Sequence, residues 1–461
     1  MEHESNSEKK VLKVGIEERL SLGENITYGF QHILALTGIW IFPGLIGAAL
    51  GLDVGTIGYI VQACFITTGI ITILQSGRLL KLPVVQGPTA AFFVAIMVTG
   101  LSQGLGTAYG SMTVAGLIFL CLAIPIGKWG IMGHCIKFMS PPIVYGSLLV
   151  IIGAQLSSIG VANWFGQAGT AGYPSLNFLT AIITILSILL LMIFGGNSFL
   201  RRGALLWGIV IGTIFYMIFG SFNMTAVNEA PLFSLPEIYP FGFHVSWPVV
   251  VLMLIAYLQA AAEAMGMYVL LTDWDKQKLT KNRVNRGMFG EFLGTTIGSV
   301  FGGIGTTSYP ENIGIIRVSG IGSRYVVMTA GIIAIILGLI PKIGVLIAII
   351  PGAVLAGAST VLFGIITFSG IQMLSKVNWD ELNLAVAGTA FIISVGTMFL
   401  PAEILAMLSP SVNSIVSQPM LVGVILLILL NTVVNMLIRP RLEKKNTNYH
   451  ESSPELPSHH K

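Results

Sequence analysis

Roughly fourteen apolar runs, each close to the ~20 residues a helix needs to cross a bilayer, dominate this 461-residue chain. They centre near residues 40, 64, 92, 117, 150, 185, 212, 259, 295, 311, 334, 361, 392 and 428. Only 10% of the residues are charged, against about 25% in a soluble globular chain. The expected fold class is therefore an all-α polytopic membrane protein. The charged start runs directly into a full-length span with no small-residue cleavage site, so the first span is expected to stay.

The basic residues order the loops. With the N-terminus on the cytoplasmic side, the even-numbered exits carry Arg78 and Lys81, Lys128 and Lys137, Arg201 and Arg202, the cluster Lys276 to Arg286, Arg324, Lys376, and finally Arg439 to Lys445. The opposite loops hold Asp53, Glu229, Glu237 and Glu403, with Lys342 their single basic residue. This positive-inside pattern predicts a multi-pass protein of the cell membrane with both termini cytoplasmic.

Several function classes lose ground at this point. The net charge of +4 is scattered among loops and forms no face for nucleic acid. Cys64, Cys121 and Cys135 lie in or beside apolar segments without metal-ligand spacing, so neither a zinc site nor a disulfide framework is expected, and no other metal or cofactor is implied. No Ser/His/Asp set or phosphate loop stands at catalytic spacing, which argues against an enzyme.

Two segments are not plain helices. Segment three contains Leu82-Pro83-Val84-Val85-Gln86-Gly87-Pro88-Thr89-Ala90, and segment ten contains Thr306-Thr307-Ser308-Tyr309-Pro310-Glu311-Asn312. Interrupted segments at matching places in two halves mark inverted-repeat transporters. The two breaks lie seven segments apart, an odd number, so the halves run in opposite directions through the membrane and two half-helices are expected to meet near the midplane.

Glu311 begins the half-helix of segment ten. An intramembrane carboxylate costs about 3 kcal/mol on insertion scales and normally faces a cavity or a partner, while a helix N-terminus supplies free N–H groups and positive potential. A second acid, Glu263, lies among small residues in segment eight, with Gly266 nearby as a place where a flat molecule would rest on backbone. Two carboxylates on one cavity suit a ligand rich in N–H donors, and either is a candidate proton carrier. His32 in segment one is read as a structural histidine or as a support for Glu263. Arg317 either snorkels to the inner surface or offsets Glu311. Glu291 is expected to open segment nine and pair with Arg283 or Arg286 at the membrane interface.

Four motifs in order carry a family resemblance over about residues 20 to 438. Tyr309 followed by Glu311-Asn312-Ile313-Gly314 and Ser323-Arg324-Tyr325, Ala262-Glu263 with Gly266, Gln31-His32, and Ile350-Pro351-Gly352 through Leu362-Phe363-Gly364 to Gly370 resemble signatures of the nucleobase/ascorbate transporters, also called the xanthine/uracil permease family. Glutamate before Asn312 is most similar to bacterial uracil carriers. The resemblance implies two inverted seven-span repeats. It also implies a core of residues 28–137 and 245–345, a gate of residues 138–225 and 346–438, and cytoplasmic tails 1–27 and 439–461. It further implies a homodimer in membrane lipid that moves core against gate like an elevator. By position, Glu263 and Glu311 would bind the base, Ala90, Tyr309 and Pro310 would line the site, and Phe363 would approach from the gate. His32 would support the segment-eight acid, with Asn312 beside the site. Met267 stands where uracil carriers have a histidine, which makes Glu263 the main candidate for proton coupling. The function so implied is import of uracil or a purine base such as xanthine or urate, by proton symport. The alternative is an anion exchanger or channel of the sulfate/bicarbonate type on the same fold, which two acids at the broken helices oppose.

Overall fold

The computed structural model describes residues 12–124, 131–132, 134, 141–166, 172–196, 199–220, 224–417 and 419–442; the side chains of Pro310 and Glu311 are outside this description. Segment one is two helices, α1 (Leu22–Leu34) and α2 (Thr37–Leu50), joined through Ala35 and Leu36. Its start is set by a reciprocal capping box between Ser21 and Glu24, inside the stretch 1–27 expected as a tail. Then come α3 (Val54–Leu74), capped by Asp53, β1 (Gln86–Pro88), α4 (Ala90–Gln103), α5 (Leu105–Leu122), α6 (Pro142–Ala162), α7 (Ser175–Phe194) and α8 (Ala204–Phe219). The second half follows with α9 (Trp247–Trp274), α10 (Lys281–Phe301), β2 (Thr306–Ser308), α11 (Pro310–Ser319), α12 (Arg324–Gly338), α13 (Pro341–Ala348), α14 (Gly352–Leu374), α15 (Glu381–Gly396) and α16 (Pro419–Asn431).

Each of the fourteen expected segments coincides with one of these elements or a consecutive pair. Among the described residues, eight helices are long and apolar enough to cross a membrane, or nine if α12 and α13, bent by 83°, form one span. Segments three and ten fall short because their helices, α4 and α11, have only 14 and 10 residues. The remainder of each is extended backbone, as their prolines and glycines dictate.

Extended backbone is tolerated at membrane depth only if its polar groups find partners. Here the two breaks satisfy each other. β1 and β2 pair antiparallel, with Gln86 opposite Ser308, Gly87 opposite Thr307 and Pro88 opposite Thr306. The ladder continues through the Thr89 N–H to the Gly305 carbonyl (3.0 Å) and the Tyr309 N–H to the Val85 carbonyl (2.9 Å). The helices following the strands, α4 and α11, thus start at opposite ends of this short ladder and run in opposite directions, as the matched breaks predict.

The helices pack in two sets. α1 to α5 associate with α9, α10, α12 and α13, while α6, α7 and α8 associate with α14, α15 and α16. The sets meet where α2 lies against α14 and where α9 lies against α6, α16 and the short helix Pro410–Val416. The N-terminal polar stretch is partly built in as well. Val14 bridges to Ile321, Leu12 and Ile16 are buried, and Glu17 pairs with Arg324 at 2.8 Å. The C-terminal stretch from 443 onward lies outside the described residues.

Candidate functional site

The starts of α4 and α11 open on a cavity of about 290 Å³ where the two helix sets meet. Phe42, Pro88, Thr89, Ala90, Glu263 and Tyr309 line one side, with Gly314 of α11. Leu149 and Ile152 of α6 and Ile365, Ile366 and Ser369 of α14 face them. An apolar enclosure with a few polar groups of fixed direction is the usual form of a small-molecule site.

The polar side is held by close backbone approach. Tyr309, the last residue before α11, is 5% exposed; its hydroxyl accepts from the Gly38 N–H at 2.7 Å and shares a hydrogen bond with Thr37 Oγ1 at 2.8 Å. Segment one is thereby fixed to the strand crossing through the break between α1 and α2. Only glycine fits there: a Cβ on Gly38 would stand 2.6 Å from the Pro88 carbonyl oxygen. Phe42, one turn further on, stacks on Phe93 of α4.

Among the described residues, Glu263 is the charged group of the cavity wall. It is half-buried, and Thr89 donates its hydroxyl to Glu263 Oε2 at 2.9 Å while also capping α4 at the Ala91 N–H. Beside it, the Thr307 hydroxyl of β2 donates to the Ala260 carbonyl at 3.0 Å, so α9 is tied to the strand pair. The result is a carboxylate beside two helix N-termini, able to accept N–H groups from a ligand whose carbonyl oxygens face the free N–H ends.

The other expected site residues divide. Ala90 and Tyr309 line the cavity as expected. The side chains of Pro310 and Glu311 are outside the described residues, although their backbone occupies the first turn of α11. Asn312 is buried, and its amide donates to the His32 carbonyl and meets His32 Nδ1, both at 3.2 Å. His32 therefore bonds segment ten, as a structural histidine would, because it lies in the last turn of α1, against α11. At Gly266 a Cβ would meet the Tyr145 ring of α6 at 3.0 Å, so the missing side chain makes room for the facing helix. Phe363 is 2% exposed and is not in the cavity lining; Ile365, Ile366 and Ser369 supply that wall instead. Arg317 is exposed in the last turn of α11, consistent with a snorkelling side chain. Met267 is buried in α9.

Glu291 is the correction of most consequence. Because α10 begins at Lys281, Glu291 lies mid-helix and is 1% exposed, not at the membrane interface. It accepts from Gln75 Nε2 (2.9 Å), Gln86 Nε2 (3.0 Å), the Tyr268 hydroxyl, the Ser308 hydroxyl (2.6 Å) and the Ser308 N–H (3.0 Å). One carboxylate thus joins the end of segment two, both crossing strands and α9. Its expected partners go elsewhere: Arg283 donates to the Leu80 and Lys81 carbonyls and Arg286 to the Arg78 carbonyl. The available signal was Gln75 and Gln86, two amides in apolar surroundings that need a common acceptor. Of the cysteines, Cys64 is buried and takes the Ile304 N–H on its sulfur, Cys121 is exposed, and Cys135 lies outside the described residues. Among the described residues no cluster of His, Cys, Asp and Glu has the geometry to hold a metal.

A model of the permease family that covers xanthine and uracil permeases matches residues 23–403. The chain belongs to the xanthine/uracil permease family. It is 29% identical over 427 residues to the xanthine permease of Bacillus subtilis, covering 91% of this chain and 95% of that one. It is 32% identical over 413 residues to a nucleobase transporter of Paenibacillus larvae, covering 88% and 93%. A uracil permease of Bacillus caldolyticus is 30% identical over 401 residues, covering 83% and 87%. Among solved structures, the transmembrane domain of a cyanobacterial bicarbonate transporter matches with a TM-score of 0.59 at 17% identity, over 83% of this chain and 97% of that one. A murine anion transporter of solute carrier family 26 also matches with 0.59, at 12% identity, over 91% and 69%. These last two share the fold, that of core and gate transporters, so this permease is a multi-pass membrane protein of that class.

Proposed function

We propose that this permease imports a nucleobase carrying lactam N–H and C=O groups, with uracil, xanthine and urate as the candidates. The carrying observation is Glu263 on the cavity wall, oriented by Thr89 next to the starts of α4 and α11. The carboxylate accepts the ring N–H groups, the helix starts take the carbonyl oxygens, and the apolar wall from α6 and α14 covers the ring face. The names of the relatives support the same class. A fixed carboxylate on the cavity disfavours an inorganic anion as cargo.

In this proposal Glu263 also carries the coupling proton, with Glu311 as a second base ligand and Asn312 and His32 as supports behind the site. Residues 28–137 and 245–345 form the moving core, residues 138–225 and 346–438 form the gate of a homodimer, and both termini face the cytoplasm. The contact of Gly266 with Tyr145 is then a place where core slides on gate without a protruding side chain.

The deciding experiment is uptake of labelled uracil, xanthine and urate, separately, into proteoliposomes with and without an inward proton gradient, for the native protein and Glu263→Gln. Gradient-driven accumulation that the substitution abolishes supports the proposal. Accumulation indifferent to Glu263→Gln sinks the site assignment, and chloride or sulfate flux without base uptake sinks the substrate class.

A further inference from the structure

Gln259 stands one helical turn before Glu263 on α9, so the two side chains share a face, about 6 Å apart along the axis. It is 2% exposed, and among the described residues neither its amide nitrogen nor its amide oxygen has a hydrogen-bond partner. Among the described residues it is the one side chain with two such atoms. Gln75 and Gln86 differ from it in that each donates its amide nitrogen to Glu291, leaving one unpartnered oxygen apiece.

A buried amide without partners destabilises the arrangement that contains it, and an apolar side chain of the same shape would not. A ligand able to pair with both amide atoms would offset that cost. α9 packs against the short helix Pro410–Val416 and against α16, both from the second helix set, and the neighbouring Ala260 carbonyl is held by Thr307. Gln259 thus precedes Glu263 by one turn on the helix that borders the second set.

We propose that Gln259 is an outer subsite that contacts the base before it reaches Glu263 and contributes to discrimination among bases. The inference rests on the nucleobase reading of the same site. An amide presents one donor and one acceptor edge, matching an adjacent lactam N–H and C=O pair with two hydrogen bonds, whereas a carboxylate only accepts. Gln259 thus reads a pattern that Glu263 does not.

The test pairs thermal unfolding with uptake kinetics for uracil, xanthine and urate in native protein, Gln259→Met and Gln259→Asn. Gln259→Met is expected to raise the melting temperature, since the unpartnered amide is gone, and to raise the KM of the preferred base about tenfold. Gln259→Asn, which keeps the amide, should hold the native order of base preference with a smaller rise in KM. An unchanged KM and base order in Gln259→Met overturns the subsite, as does a joint fall of melting temperature and uptake, which marks a framework residue. If native protein accumulates no base, the nucleobase reading fails and the subsite with it; a competent native protein beside an unaltered Gln259→Met overturns the subsite alone.

Discussion

Glu263 and Glu291 are both carboxylates within the membrane-spanning helices, on neighbouring helices that flank the same strand crossing, yet their surroundings are opposite. Glu291 is sealed, with five donors around its two oxygens. Glu263 lines a cavity and takes the Thr89 hydroxyl on one oxygen. A carboxylate saturated by the protein serves as a joint, while one facing a cavity retains acceptor capacity for a ligand. The difference lies not in residue type but in whether the group is enclosed or lines the cavity.

The largest expected effect tests the joint. Glu291→Leu leaves the donors of Gln75, Gln86, Tyr268 and Ser308 without their acceptor, a cost on the order of 3 kcal/mol or more, and should abolish recovery of folded protein in size-exclusion chromatography. Normal folding of that variant would break the comparison. Glu263→Gln is the converse. It should cut base uptake at least a hundredfold, an effect of roughly 3 kcal/mol on transport, while unfolding stays within about 0.5 kcal/mol of native, as for sites away from the framework. A large loss of stability would place Glu263 with Glu291.

Thr89→Ala sharpens the distinction, because the hydroxyl serves Glu263 and the start of α4 together. Losing the cap lowers stability by about 1 kcal/mol, and losing the orienting donor should raise KM severalfold in the uptake assay. An unchanged KM would mean that Glu263 needs no orientation. The smallest effect is expected from Glu17→Gln at the surface, whose pair with Arg324 is exposed on the Glu17 side; exposed pairs contribute about 0–1 kcal/mol. Unfolding and uptake close to native would confirm that acid position, not acid number, matters here.

Much of the fold is legible along the chain because membrane-spanning elements are local. A run of about 20 apolar residues must satisfy its own backbone, so it reads as a helix without knowledge of its neighbours. The breaks in segments three and ten are equally local, being written in Pro83, Gly87, Pro88 and Pro310. Even their pairing follows from position, since the odd spacing requires opposite directions. Glu263 stands out as an acid among small residues of segment eight, and Ala90 and Tyr309 were expected as lining residues from the family resemblance.

What the linear order could not supply were side-chain partners between segments. His32 turned to Asn312, Gly266 received Tyr145, Phe363 packed away from the cavity, and Glu291 became the joint of four elements. Each outcome depends on helix rotation and on where a helix begins. The error at Glu291 came from placing the start of segment nine too late, which moved a mid-helix residue to the surface. The sequence by itself determined that the chain is an all-α membrane protein and where two of its segments break, because lipid enforces those features residue by residue. Only the tertiary structure decided that Glu291 is enclosed, because that outcome depends on the convergence of groups more than 200 positions apart, such as Gln86 and Glu291.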